Sequence, residues 1–107
     1  MSTIPTFNMD PRALEMMQQR ERFNWFAQSL EDRVESYSFD EVLGLLHDPR
    51  PSWPAQREKA LVLLALKGTV EAAEAIAEYD PGSEEKAQVF HAVCADEWAR
   101  RLTVFAA

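Results

Sequence analysis

A run of seven apolar residues near the middle of the chain restricts the fold more than any other feature. It occupies positions 60–66 within the segment REKALVLLAL, residues 57–66. A helix of this sequence is apolar almost all round, so other elements must cover it on several sides. Ser52 and Pro54 as start signals, Gly68 as a stop signal, and the Leu and Ala content indicate a helix rather than a buried strand. We therefore expect the central helix of a small helical domain.

The composition indicates a single all-α domain. A chain of 107 residues with 47% hydrophobic residues can bury one core. Few glycines and few β-branched residues, against many Ala, Leu, Glu and Gln, favour helices over strands. We predict about five helices in residues 10–107, arranged as a short solenoid or an irregular bundle with a long N-terminal helix. Residues 1–9 contain Pro5 and show no clear period, so we expect a flexible N-terminal arm there.

Negative charge is concentrated in one segment of the chain. The formal net charge is −7, and residues 69–97 contain eight acidic residues and one base, Lys86, whereas the rest of the chain contains ten of each. An acidic chain is repelled by nucleic acid and by anionic membranes. We therefore expect another protein as partner, preferably a basic one, and no direct contact with nucleic acid or membrane.

Cysteine content and the first residues of the chain indicate its compartment. Cys94 is the sole cysteine of the sequence, which excludes an intrachain disulfide and favours a reducing environment. The opening residues MSTIPTFNMD lack the basic and apolar regions of a signal peptide. No apolar stretch approaches the roughly 20 residues of a membrane helix. The sequence predicts a cytoplasmic protein.

Capping residues and prolines suggest where the other helices begin and end. Asp10-Pro11 starts a first helix that the apolar spacing extends to about residue 35. Ser38 and Glu41 fit the S-x-x-E capping box of a second helix at about 39–47. Thr69 and Ser83 are suitable caps for a fourth helix at about 70–79 and a fifth at about 84–104. Residues expected to face the core are Ala73, Ile76 and Ala77 in the fourth helix, and Ala87, Phe90, Cys94, Trp98, Leu102 and Phe105 in the fifth.

Two helical segments are related by an internal repeat. EKALVLLAL, residues 58–66, and EKAQVFHAV, residues 85–93, agree at five of nine positions, and each follows a shorter predicted helix. Paired helices with such a period are typical of solenoids, the alternative being a chance match of two alanine-rich helices. The chain resembles the bacterial HEAT-like helical repeats within residues 57–98, on Arg57, Ala60, Leu64, Gly68, Ala73, Ile76 and Lys86-Ala87. That resemblance implies a protein-binding scaffold without catalytic residues.

His91 and Cys94 lie one helical turn apart and are the best candidates for chemistry. They can supply two ligands of a zinc site, or a base and a nucleophile, but structural zinc takes four ligands. The apolar spacing places Cys94 on the core side, where a free thiol behaves as a small hydrophobic group. We expect a buried thiol beside a partly exposed histidine, with no metal, no cofactor and no catalysis. A small enzyme or ligand carrier that uses this pair is retained as an alternative.

Glu71, Glu74 and Glu78 are spaced i, i+3 and i+7, so they form one side of the fourth helix, here called the acidic ridge. The simpler interpretation is a solvated helix face. The functional interpretations are a recognition surface for a basic protein, or a mimic of nucleic-acid phosphates that inhibits a DNA- or RNA-binding protein.

Leu14, Met16, Met17 and Trp25 widen the apolar surface of the first helix beyond a single stripe. Five helices cannot easily cover two sides of one helix, so these residues are either core or a surface for a partner or a homodimer. Trp53, in a proline-flanked linker, is either a lid on the core or an exposed anchor for a partner.

These features together predict a non-enzymatic protein–protein interaction module, an adaptor or regulatory scaffold. An apolar face of the first helix and the acidic ridge are its expected contact surfaces.

Overall fold

The computed structural model describes residues 10–49 and 54–106, with side chains for 10–49 and 55–102. Within these residues there are helices and no strand, which confirms the all-α class with about five helices. The elements are α1 (Pro11–Leu30), a 3₁₀-helix (Glu31–Ser36), α2 (Phe39–Leu46), α3 (Pro54–Lys67), α4 (Val70–Glu78) and α5 (Glu85–Ala106). The expected arm at residues 1–9 and the side chain of Trp53 lie outside the described part.

Helix α3 lies at the centre of the fold, as its sequence predicts. It contacts α1, the 3₁₀-helix, α2, α4 and α5. The six residues 60–65 are each at most 3% exposed, so every side of the helix has a neighbour. Burial of apolar surface on all sides is the main stabilising term for such a helix. Each Å² of apolar surface removed from water stabilises the fold by about 25 cal/mol.

Helices α1 and α5 pack together beside α3. The rings of Phe26 and Phe90 meet edge to face, with centroids 6.2 Å apart. At the other end of the contact, Arg20 of α1 pairs with both Asp96 and Glu97 of α5, the latter at 2.8 Å. The Arg20 guanidinium holds the pKa of the Asp96 carboxyl below its ordinary value, chiefly through their hydrogen bond.

The first helix differs from its predicted length. Its α-helical part ends at Leu30 and the chain continues as a 3₁₀-helix to Ser36, whereas the spacing predicted one helix to about residue 35. The ammonium of Lys67, at the end of α3, donates to the carbonyls of Val34 at 3.4 Å and Tyr37 at 2.5 Å. Because these bonds come from a residue about 30 positions away, the tighter winding depends on a contact that local sequence spacing does not reveal.

The predicted caps of α1, α2 and α4 are confirmed. Backbone amides donate to the side chains of Asp10 at 3.2 Å and Thr69 at 3.1 Å, and Ser38 and Glu41 form the reciprocal capping box. The cap predicted for the last helix is wrong by one residue. Helix α5 begins at Glu85, so Glu84 rather than Ser83 precedes it, and the Glu84 carbonyl accepts the first helical hydrogen bond.

The predicted inner faces of α4 and α5 need correction. In α4 the buried residues are Ala72, Ala75 and Ile76, while Ala73 is half-buried and Ala77 is exposed. In α5 the core side is Val89, Phe90, Val93 and Cys94, Leu102 is 40% exposed, and Ala87 and Trp98 are half-buried. The side chain of Phe105 lies outside the described residues. In both helices the buried side is turned about the helix axis by a fraction of a turn from the predicted one. The neighbouring helices, and not the sequence pattern alone, determine which apolar residues are covered.

Two glycines allow a matched stability test. Gly68 joins α3 to α4 with a φ of 64°, so Gly68→Ala should lower the free energy of unfolding by about 1 kcal/mol. Gly44 lies within α2, where an added methyl group meets no atom within 4 Å, so Gly44→Ala should raise it by about 0.5–1 kcal/mol. Urea denaturation of both variants measures the difference. If both substitutions changed the free energy of unfolding in the same direction, the assigned backbone conformations of Gly68 and Gly44 would be contradicted.

Candidate functional site

A groove of about 270 Å³ separates α2 from the acidic ridge of α4. Phe39 and Leu43 of α2 and His47, the residue that follows the helix, line one side of it. Ala75 and the three ridge residues, Glu71, Glu74 and Glu78, line the other. Phe39 and Leu43 pack against the core but are only half-buried, and their remaining surface faces this groove. The groove therefore combines an apolar wall with an acidic one.

The carboxylates of the acidic ridge are exposed and unpaired. Within the described part of the chain, none of the three makes a hydrogen bond or an ion pair. Four acidic residues elsewhere have basic partners: Glu58 pairs with Arg22, Asp96 and Glu97 pair with Arg20, and Glu31 lies 3.8 Å from Arg101. The ridge thus places three unpaired carboxylates next to the exposed part of the apolar wall of the groove.

A second exposed surface lies on the outer side of α1. Leu14 is 45% exposed, Met17 49% and Trp25 67%. At 3.6 residues per turn these three positions fall within about 80° of one another, so they share one face, here called the α1 face. Met16 does not belong to it, because its side chain is half-buried against the core. The rings of Trp25 and Phe26 meet edge to face, with centroids 5.1 Å apart, and most of the Trp25 surface stays exposed.

His91 and Cys94 are near each other, but both have structural roles. The His91 Nε2 lies 2.5 Å from the carbonyl oxygen of Ile76, and because a carbonyl only accepts, this nitrogen carries the proton. The imidazole thereby caps the C-terminal end of α4, beside the ring of Tyr79. Cys94 is fully buried, as predicted. Burial raises the pKa of its thiol well above the ordinary value, which suppresses the reactive thiolate.

The described side chains form no cluster that resembles a metal centre. Among residues 10–49 and 55–102, no three His, Cys, Asp or Glu side chains are placed to share an ion. His47, the other histidine of the sequence, lines the groove and is exposed. The two histidines therefore lie in different surroundings, one at a helix end and one beside the acidic ridge.

Sequence reasoning missed the contribution of α2 to the groove and the exposure of Val70. Val70 is 66% exposed in the first turn of α4, and Trp98 donates its indole N–H to the Thr69 carbonyl at 2.8 Å next to it. The i, i+4, i+8 spacing of Phe39, Leu43 and His47 was a usable signal for one helix face. No local signal indicates that this face lies opposite α4.

Comparison of the chain with protein-family models, with curated proteins and with solved structures found no match. In the part of the chain that the structure describes, no helix combines the length and apolar character needed to cross a bilayer.

Proposed function

We propose that this protein is a non-enzymatic protein–protein interaction module that acts as an adaptor or regulatory scaffold. The observation that carries the proposal is the α1 face, where Trp25 is 67% exposed beside Leu14 and Met17. Tryptophan supplies more contact energy per residue than most side chains and is enriched in binding hot spots. An exposed tryptophan with two large apolar neighbours on one helix side is a typical contact surface for another protein.

The acidic ridge supports a second role for the same module. Unpaired carboxylates attract a basic partner over distances of about 8–10 Å at physiological salt, and they suppress binding of acidic partners. We assign the affinity for a partner chiefly to the α1 face and its orientation to the ridge. Helix α2 packs on α3, but α4 contacts α3 more extensively than it contacts α5, so these contacts do not favour two HEAT-like hairpins over an irregular bundle.

The alternative functions have weaker support. For a mimic of nucleic acid we expect recognition chiefly by charge, as in binding to a phosphate backbone, whereas the ridge lies beside the apolar side chains of Phe39 and Leu43. An enzyme or ligand carrier based on His91 and Cys94 would need an accessible thiol and a free imidazole nitrogen. The burial of Cys94 and the bond from His91 to Ile76 disfavour that use.

An affinity pull-down with two sets of variants tests the proposal. The immobilised wild-type protein should capture prey from cell extract that Leu14→Ala/Met17→Ala/Trp25→Ala does not capture. The variant Glu85→Ala/Lys86→Ala, which alters exposed positions at the start of α5 without changing the net charge, is the matched control and should retain it. Sedimentation velocity of the same proteins reveals whether a second copy is the partner.

The outcomes separate the two surfaces. Prey lost only from Glu71→Lys/Glu74→Lys/Glu78→Lys would transfer the main contact to the acidic ridge. If wild-type protein and the α1-face variant capture the same prey and show the same mass in solution, the α1 face has no binding role. Circular dichroism confirms that each variant is folded.

A further inference from the structure

We infer that the groove between α2 and α4 binds a short amphipathic helix of another protein, with apolar side chains on one side and Lys or Arg beside them. This inference rests on the proposed function and names the partner class for one of its surfaces. Its basis is the presence of two complementary walls in one groove: Phe39 and Leu43 on one side, and three unpaired carboxylates on the other.

The dimensions of the groove fit side chains presented by a helix. Its volume of about 270 Å³ lies below the roughly 300–1,000 Å³ of small-molecule pockets. One or two aliphatic side chains can enter it and contact Phe39, Leu43 and Ala75. Helices that dock in apolar grooves present such anchors at i, i+3 or i+4, and i+7.

The spacing of the acidic ridge matches the same kind of ligand. Glu71 and Glu78 are separated by seven residues of helix, or about 10 Å along its axis. A partner helix with bases at i, i+3 or i+4, and i+7 spans the same distance, so each base can pair with one ridge carboxylate. Fixed register between two rows of opposite charge gives the docked helix one preferred position.

Two of the three ridge carboxylates lower the stability of α4, whereas Glu71 lies in its first turn, where the helix dipole favours an anion. Glu74 and Glu78 are like charges at i, i+4, and Glu78 lies in the last turn of α4, where the helix dipole disfavours an anion. No base of the described chain compensates them. A cationic partner would relieve both the repulsion and the unfavourable dipole interaction. A solvated helix face in which bases alternate with acids would not need such a partner. A second copy of this chain, with its net charge of −7, lacks this complementarity.

Fluorescence anisotropy with designed peptides tests the inference. The probe is a labelled 14-residue helical peptide with Leu at i, i+4 and i+7 and Lys on the flanking positions. One control peptide carries Glu in place of Lys, and another carries Ser in place of Leu. The full-length protein should bind the basic amphipathic peptide and should bind both controls at least about tenfold more weakly.

A matched pair of variants locates the binding. Glu71→Gln/Glu74→Gln/Glu78→Gln should weaken binding of the basic peptide by about tenfold or more, since three surface ion pairs are lost. Glu21→Gln/Asp32→Asn/Glu35→Gln removes the same total charge from exposed positions on α1 and the 3₁₀-helix, and should change affinity less than about threefold. The ridge variant should also unfold at the same temperature as wild type or higher, which excludes a loss of binding through unfolding.

Three results would overturn the inference: equal weakening by both variants, binding of the Glu peptide as tight as that of the Lys peptide, or undiminished binding of the Ser peptide. The first result indicates attraction by net charge only. The α1-face variant Leu14→Ala/Met17→Ala/Trp25→Ala should bind the peptide like wild type. A failure of the groove is therefore distinguishable from a failure of the α1 face as a protein-binding surface.

Discussion

Leu63→Ala is expected to lower the free energy of unfolding by about 3 kcal/mol and the melting temperature by roughly 15 °C. Leu63 is fully buried on α3, the helix that contacts every other described element. Removing its side chain leaves a cavity that helices on several sides would have to close together. Urea denaturation monitored by circular dichroism measures the change.

Leu14→Ala is the matched control for Leu63→Ala, because it makes the same chemical change on a side chain that is 45% exposed. We expect a loss of less than about 1 kcal/mol there. Similar losses for the two variants would contradict the central position of α3. A small loss at Leu14 also makes this substitution suitable for binding experiments on the α1 face.

The Cys94 thiol should react with Ellman's reagent at least about 1,000-fold more slowly in the native protein than in the urea-unfolded chain. Its side chain is fully buried, so the reagent needs an opening of the fold. The double variant Cys94→Ala/Ala95→Cys moves the thiol to the neighbouring exposed position and should react nearly as fast as the unfolded chain. Fast labelling of native Cys94 would refute its burial and restore the alternative of a reactive site with His91.

The same burial makes stability depend on pH in the alkaline range. Burial chiefly, with the negative charges of Glu58 and Glu97, raises the pKa of the Cys94 thiol well above its ordinary value of 9.0. Above that pH the unfolded chain releases the thiol proton while the folded chain retains it, so stability falls as pH rises. The contribution of the thiol to the free energy of unfolding is intact below about pH 9. At higher pH it decreases by up to about 1.4 kcal/mol per pH unit. In Cys94→Ala this component of the slope should be absent.

Local signals in the sequence were sufficient to predict most of the fold. The apolar run predicted α3 and its central position, because such a helix has no polar side to expose. The caps at Asp10, Ser38 and Thr69 could be read from single residues and their neighbours, since capping bonds span only two or three positions. The residue at which the first α-helix ends could not be predicted in this way, because the Lys67 ammonium stabilises the 3₁₀-helix from a distant part of the chain.

The inner face of α4 was shifted because its sequence, VEAAEAIAE, places alanine on every side of the helix. Alanine is compatible with both a core and a surface position, so Ile76 alone fixes the orientation and leaves its neighbours ambiguous. In α5 two adjacent apolar residues occur in successive turns, and packing selected Val89 and Val93 along with Phe90 and Cys94.

The candidate site was predictable only in parts. The acidic ridge follows from helical spacing, and the exposure of Trp25 was one of two outcomes expected for a helix with two apolar sides. The groove was not predictable, because its other wall comes from α2, about 30 residues earlier, and α3 determines the position of both walls. The half-burial of Met16 likewise depends on tertiary packing and not on its place in the apolar surface of the first helix.

The position of α2 has a consequence for motion in the protein. Helix α2 packs chiefly on α3, whereas α1, α3 and α5 all contact one another. Its eight residues can therefore open locally while the three-helix core stays intact, so its amides should exchange with solvent sooner than those of residues 60–65. Since α2 forms one wall of the groove, this local opening would change the distance between the two walls and admit ligands of different width. An occupied groove would slow the exchange of α2 before it affected any other helix.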